Sequence, residues 1–290
     1  DPNDLLKKYG KDYLRYYLVS DVPFGKDGNF NDIRLINKIN ADLCNDLGNL
    51  TQRALTMIAK NCDNKIPFPG QRDFSTINTN TNTNANVKSG LNEDDMKILN
   101  LCHESIKKAK LHMEAYELKL YCDILINICK EGNRYIDTQA PWKLLKENNI
   151  ERMNSVLYTL VEILRRVSLM LSPIIPESSE KLMYQLGATN ENGMNTMTSL
   201  DKDIMISPGS PIGKVQPIFT KLDPTDVDID KKMNVFFIDG SEKIFVWNQY
   251  WNDTGIKKVS TSGVFTHLET QVDTLVYYGQ GNVWETWEDE

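Results

Sequence analysis

Between Asn31 and Lys60 the chain carries no proline, and Ile33, Ile36, Ile39, Leu43, Leu47, Leu50, Ala54, Leu55 and Ile58 recur in steps of three and four. That spacing predicts one long amphipathic helix with a polar side left free. Helical periodicity resumes near Leu91 and runs to about Tyr135 through Met96, Leu99, Leu111, Tyr116, Leu120, Ile124, Leu125 and Ile128, predicting two helices broken before Ala115. Asp137-Thr138-Gln139-Ala140-Pro141-Trp142 reads as a turn into a short helix whose first position is Pro141, where a missing N–H removes nothing. A further amphipathic helix spans Ile150 to Leu171 and is closed by Ser172-Pro173; Pro176 opens a last one that ends at Leu186-Gly187. Residues 31–187 therefore predict a mainly α fold, an antiparallel helical bundle.

The flanks read differently. Asp1-Pro2 starts one short helix, Gly10 ends it, and residues 11–19 form a second before the breaker-rich loop Pro23 to Gly28, so residues 1–30 are a connector. Within the bundle, Thr76 to Asn84 repeats a Thr-Asn dipeptide with almost no apolar surface, and residues 71–90 read as a low-complexity insertion. Residues 188–231, rich in Pro, Gly, Asp and Thr, suit an extended linker lying on the bundle. Beyond them, Val235-Phe236-Phe237-Ile238, Lys243 to Trp247 and Thr274 to Tyr278 are β-prone runs, so residues 232–290 are expected to be a small β-rich appendage. Its aromatic residues, Trp247, Tyr250, Trp251, Tyr277, Tyr278, Trp284 and Trp287, suit either the core of a small sheet or a ligand surface, with a protein partner as one candidate.

Charge narrows the class. The formal net charge is −7, and residues 232–290 contribute −5 of it, four Lys against nine Asp and Glu. A basic nucleic-acid coat protein is excluded, and the acidic tail argues against a second RNA-binding module, because phosphate contacts need Lys and Arg. No run reaches the roughly 18 apolar residues that span a bilayer, so no membrane partner is expected. The start, Asp1-Pro2-Asn3-Asp4, has neither a basic leader nor an initiator Met and reads as truncated. Five widely spaced cysteines without a Cys-x-x-Cys pair fit a reducing compartment and small core positions, so no metal site is predicted.

A self-contained catalytic site is not found. Gly209-Ser210-Pro211-Ile212-Gly213-Lys214-Val215 is one residue short of a phosphate loop and ends in Val, and the histidines, His103, His112 and His267, lie far apart. Glu93-Asp94-Asp95 sits where a helix begins and reads as a solvated, dipole-favoured face. Two recognition candidates remain. Asn49 and Arg53 are four apart and share one helix face, where an amide and a planar guanidinium can bond a base edge or neutralise a phosphate; an ordinary polar pair has the same spacing. Trp142, directly after Pro141, can either stack an unpaired base or close a helix corner by packing.

The chain resembles the methionyl-tRNA synthetases, class I aminoacyl-tRNA ligases. The likeness rests on Asp1-Pro2, Tyr9-Gly10-Lys11-Asp12, Leu14-Arg15-Tyr16-Tyr17-Leu18, Val22 to Phe30, Asn40-Ala41-Asp42-Leu43, Asn45 to Leu50, Arg53 and Gln139-Ala140-Pro141-Trp142, in collinear order; Leu171 to Pro176 and Pro208 to Lys214 extend it to about residue 222. The resemblance implies a bundle of the class I synthetase anticodon-binding type, part of a methionine–tRNA ligase that attaches methionine to its tRNA with ATP. It further implies that Asn49, Arg53 and Trp142 meet the anticodon loop of methionine tRNA, Trp142 stacking the first anticodon base. No catalytic residue and no cofactor is expected in this chain, since the family's ATP and methionine sites belong to a catalytic domain upstream. A cytoplasmic protein is the implied setting, with mitochondrion or plastid open because a targeting segment would precede Asp1. The rival reading is a non-catalytic helical interaction module derived from the same fold.

Overall fold

The computed structural model describes residues 1–28, 30–71, 84–188, 193–201 and 204–224, and beyond them the backbone of five short strands; of 84–86 only the backbone is described. Two compact units divide after Leu222. In the first, helices α1 (Pro2–Tyr9) and α2 (Lys11–Ser20) precede α3 (Asp32–Ile39), a π-helical segment (Asn40–Gly48) and α4 (Asn49–Asn61). Then come α5 (Asn84–Ser89), α6 (Glu93–Glu114), α7 (Leu118–Gln139), α8 (Pro141–Lys146), α9 (Ile150–Leu171), α10 (Pro176–Gln185) and α11 (Met197–Asp201). The unit is mainly α. The repetitive tract at 72–83 lies outside the described residues, whereas 84–89, within the predicted insertion, are helical.

The rows alternate in direction. Lys38 reaches Asp123 at 3.4 Å, Asn133 donates to the Asp46 carbonyl at 2.9 Å and Arg53 meets Asp137 at 2.5 Å, so α3 to α4 run beside α7 in the same sense. Tyr135 bonds Asp95, and Tyr121 bonds the Met170 carbonyl, so α6 and α9 run against α7. The connector is stapled to this bundle at the end of α9. Arg15 donates to the carbonyls of Pro173 and Ile174 at 2.7 and 2.8 Å, and Asp12 accepts from the Ser178 amide in the first turn of α10 at 2.6 Å.

Two helices differ from their predicted form. The stretch 31–60 is not one α-helix: the nine residues Asn40–Gly48 are π-helical, and groups remote in sequence bond within them, the Leu222 backbone to Asn40 and the Asn133 side chain to the Asp46 carbonyl. And α9 is not amphipathic, since every residue from Met153 to Leu171 is buried. Its polar positions face protein instead of water. Glu162 bonds Arg165 at 2.7 and 3.0 Å and Arg166 at 2.6 Å, and accepts the Ile206 amide at 3.0 Å. Arg165 continues to the carbonyls of Met194 and Ile204, both at 2.8 Å, and Tyr158 donates to the Ile206 carbonyl. The segment read as a linker thus covers the side of α9 that looked solvent-facing.

Just past the end of α4, Asn64 to Ile66 pair with the Pro/Gly turn at 209–212. Ile66 bonds Ser210, Gly209 bonds Ile66 and Ile212 bonds Asn64 through their backbones. Gly209 has φ +81°, and a Cβ at Gly187 would lie 2.4 Å from the Pro211 carbonyl oxygen, so the phosphate-loop lookalike is a packing joint.

Cys44, Cys62, Cys102, Cys122 and Cys129 are all reduced and buried. Burial, with Asp63 and Asp123 adding to it, pushes the thiols of Cys62 and Cys122 up to about 12. Thiolate is the reactive form, so the native chain is expected to give no fast reaction with a thiol-specific disulfide reagent at pH 8, and five equivalents once unfolded in guanidinium. A thiol that reacts fast in the native chain contradicts this packing.

In the second unit, strands β1 (Met233–Ile238), β2 (Ile244–Gln249) and β3 (Val259–Phe265) form an antiparallel sheet in that order, and β4 (Leu275–Tyr278) pairs with β5 (Trp284–Trp287). Phe236 faces Val246 across the first ladder and Tyr277 faces Glu285 across the last. The aromatic side chains named above for this segment lie outside the described residues.

Candidate nucleic-acid interface

The corner after α7 is built by one residue. Helix α7 continues through Gln139, three residues into the predicted turn, and Ala140 alone turns the chain in the left-handed conformation, φ 44° and ψ 59°. Its N–H still bonds the Ile136 carbonyl at 2.9 Å, while its own carbonyl receives the Lys143 amide at 2.7 Å, starting α8. Pro141 cannot continue α7 because it lacks the N–H. Trp142 follows as the second residue of α8, with 37% of its surface exposed.

Beneath that ring lies Arg53. Its guanidinium carbon is 5.3 Å from the indole centroid, within cation–π range, and Nη2 donates to Asp137 Oδ1 at 2.5 Å. Asn49 is exposed one turn earlier on the same face of α4, and among the described residues its carboxamide has no hydrogen-bond partner. So the fold brings Arg53 and Trp142 into contact and places Asn49 beside them. Asn49 and Arg53 do not form a pair with each other, and the ring is not enclosed in the corner.

The corner is braced from behind. Asp95 is fully buried and receives Tyr135 Oη, Arg152 Nη1 at 2.5 Å and the Asn92 amide at 2.9 Å. Arg152 also donates to Gln139 Oε1 at 2.6 Å, and Gln139 Nε2 to Asp94 at 3.0 Å. The start of α6, the end of α7 and the start of α9 are thereby tied together. Burial disfavours the charge of Arg152, but hydrogen bonds and attraction from Asp95 outweigh it and keep its pKa above the ordinary guanidinium value. Burial, with Asp95 beside it, holds the Tyr135 phenol far above its ordinary value. This corrects the reading of Glu93-Asp94-Asp95 as a wholly solvated face: Glu93 and Asp94 are exposed, but Asp95 is an anchor.

The roles of Asp137, Asp95 and Arg152 do not follow from the sequence. Their partners lie 84, 40 and 57 residues away, beyond any spacing rule. Chemically, the assembly offers a part-exposed indole, a guanidinium with donors to spare after Asp137 takes one, and a free amide. Asp137 is 64% exposed, so its pair with Arg53 adds little to stability. Asp137→Asn is expected to change unfolding free energy by less than about 1 kcal/mol, checked by urea titration; a larger loss contradicts a solvent-screened pair. Among the described residues no group of three or more His, Cys, Asp or Glu could hold a metal ion, and no helix is long and apolar enough to cross a membrane.

Comparison with known proteins adds a family. The model described as "tRNA synthetases class I (M)" matches residues 1–55, and that described as "Anticodon binding domain of methionyl tRNA ligase" matches residues 87–234. The methionine–tRNA ligase of Brucella melitensis is 38% identical over 224 residues, covering 76% of this chain and 38% of that protein. That of Nostoc is 34% identical over 229 residues, covering 78% and 40%. Among solved structures, the free form of Mycobacterium tuberculosis methionyl-tRNA synthetase superposes with TM-score 0.67 at 29% identity over 77% of this chain and 41% of that one. Its methionyl-adenylate-bound form gives 0.66 at 29% over 76% and 40%. The chain spans about two fifths of the length of these relatives.

Proposed function

The chain belongs to the methionyl-tRNA synthetase family, and we propose that its first unit reads the anticodon loop of methionine tRNA within a methionine–tRNA ligase. Trp142 stacks an unpaired anticodon base, Asn49 bonds a base edge, and Arg53 supplies further donors from under the ring. The observation that carries this reading is the Arg53 guanidinium 5.3 Å from a part-exposed indole, with an unpartnered amide one turn away. Stacking is tolerant of base identity, so the amide and guanidinium would carry discrimination.

In the full-length protein, the remaining three fifths would hold ATP and methionine, form the adenylate and transfer methionine to the terminal ribose. This unit contributes selection of the tRNA. Five buried, reduced cysteines support work in a reducing compartment such as the cytoplasm. The test is calorimetric titration of the chain with anticodon stem-loops that share one stem and differ only in the anticodon. The CAU loop is expected to bind at least tenfold tighter than loops with one base changed, about 1.4 kcal/mol or more. Equal affinity for all of them favours the non-catalytic interaction module instead.

A further inference from the structure

The π segment ends where the reading face begins. Asn49 closes it, its amide bonding the Cys44 carbonyl five residues back, and α-helical pairing takes over from there. In an α-helix each residue turns the chain by about 100°, so a wide turn that holds an extra residue rotates everything after it by about that much. The rotation at which α4 presents Asn49 and Arg53 is therefore fixed upstream, in the π segment.

Those residues are clamped. A Cβ at Gly48 would lie 2.9 Å from the Leu43 carbonyl oxygen and 3.3 Å from the Phe219 ring, so glycine lets the wide turn and Phe219 coexist. The Asn40 side chain donates to the Leu222 carbonyl at 2.8 Å and accepts the Leu222 amide at 2.9 Å. Between these two contacts, Thr220 donates to and accepts from the Tyr13 hydroxyl, both at 2.9 Å, and the Phe219 ring stacks on Tyr13 at 6.3 Å. From α7, Asn133 bonds the Asp46 carbonyl inside the π segment. A π turn is less favourable than an α turn, and one nine residues long persists when its surroundings hold it.

We propose that residues 219–222 act as a strap on the π segment, and that Phe219, Gly48 and Asn40 are positioning residues setting the orientation of Asn49 and Arg53 toward an RNA loop. The inference rests on the anticodon reading above. It links the connector helix α2, through Tyr13 and the strap, to the base-reading face.

The test uses the whole chain and compares CAU stem-loops with single-base variants, measuring both their affinity ratio and the salt dependence of binding. Gly48→Ala and Phe219→Ala are expected to lower discrimination about tenfold while the slope of log affinity against log salt stays unchanged, because no phosphate contact is lost. Phe219→Leu, which keeps bulk against Gly48, should recover most of the ratio. Asn40→Ala, which removes two hydrogen bonds and leaves the Gly48 contact intact, serves if either of the first variants fails to fold, and is expected to act in the same direction. Unchanged discrimination in the folded strap variants, with Asn49→Ala abolishing it, overturns the strap alone. A uniform loss of affinity with the ratio preserved also overturns it, since that marks a structural role only. Indifference to Asn49→Ala and Trp142→Ala themselves overturns the anticodon reading, and the strap's role with it.

Discussion

Glu162→Gln is expected to destabilise the first unit by about 3–5 kcal/mol, a large fraction of the roughly 5–15 kcal/mol that holds an ordinary domain together. The substitution keeps the shape of the side chain and removes its charge. Arg165 and Arg166, both buried against it, would then lose the carboxylate they share. The loss also reaches the covering segment, because the same carboxylate accepts the Ile206 amide and orients Arg165 toward Met194 and Ile204. Urea unfolding followed by helical circular dichroism measures it as a lower midpoint at similar slope. A shift below about 1 kcal/mol contradicts the placement of that cluster inside the protein.

The same group fixes an acid limit. Burial alone would raise the Glu162 carboxyl, but attraction from Arg165 and Arg166 and their hydrogen bonds win and hold it at about 2, against an ordinary 4.5. A carboxylate with a depressed folded pKa contributes stability that is complete above the unfolded value and lost as protons bind the unfolded chain more tightly. Stability is therefore expected to fall between about pH 4.5 and about pH 2, and the fall should be shallower in Glu162→Gln. Parallel curves for the two proteins in that window contradict the assignment.

Trp142→Ala is expected to weaken binding of the methionine anticodon stem-loop by about 1–3 kcal/mol, roughly 5- to 150-fold. The ring supplies area and a π-face but no charge, so the salt dependence should not change. Trp142→Phe should fall between, since a smaller ring still stacks. Arg53→Ala separates the two uses of a guanidinium. If Arg53 bonds a base edge, discrimination among anticodons drops at constant salt slope; if it neutralises a phosphate, the slope itself falls by about one. With the group under the indole, 5.3 Å from its centroid and held by Asp137, base-edge bonding is the expected result.

Much of the bundle is legible in the sequence because apolar periodicity is a local property. The bounds of α9 and the proline that opens α10 follow from it directly. The π segment does not, because the Ile39, Leu43 and Leu47 steps that lead through it suit an α-helix equally well, and the groups packed on it, Leu222, Phe219 and Asn133, lie far away in sequence. Polar residues on α9 mimic a wet face, since sequence alone does not show that Ile204 and Ile206 bring their backbones over it. Spacing and residue chemistry offer Asn49, Arg53 and Trp142 as candidates, and only the resemblance assigns them to an anticodon loop. Asp137 and the Asp95 brace are not, because each acts only through a partner on another helix.

If Asn49, Arg53 and Trp142 contact anticodon bases, double-mutant cycles between protein and RNA detect the contacts. Each of Asn49→Ala, Arg53→Ala and Trp142→Ala is titrated against stem-loops carrying a single anticodon substitution or an abasic site, and against loops changed only in the stem. Coupling of about 1 kcal/mol or more between each residue and at least one anticodon position, with none to the stem, is the predicted result. Additive effects throughout, within about 0.5 kcal/mol, would contradict it.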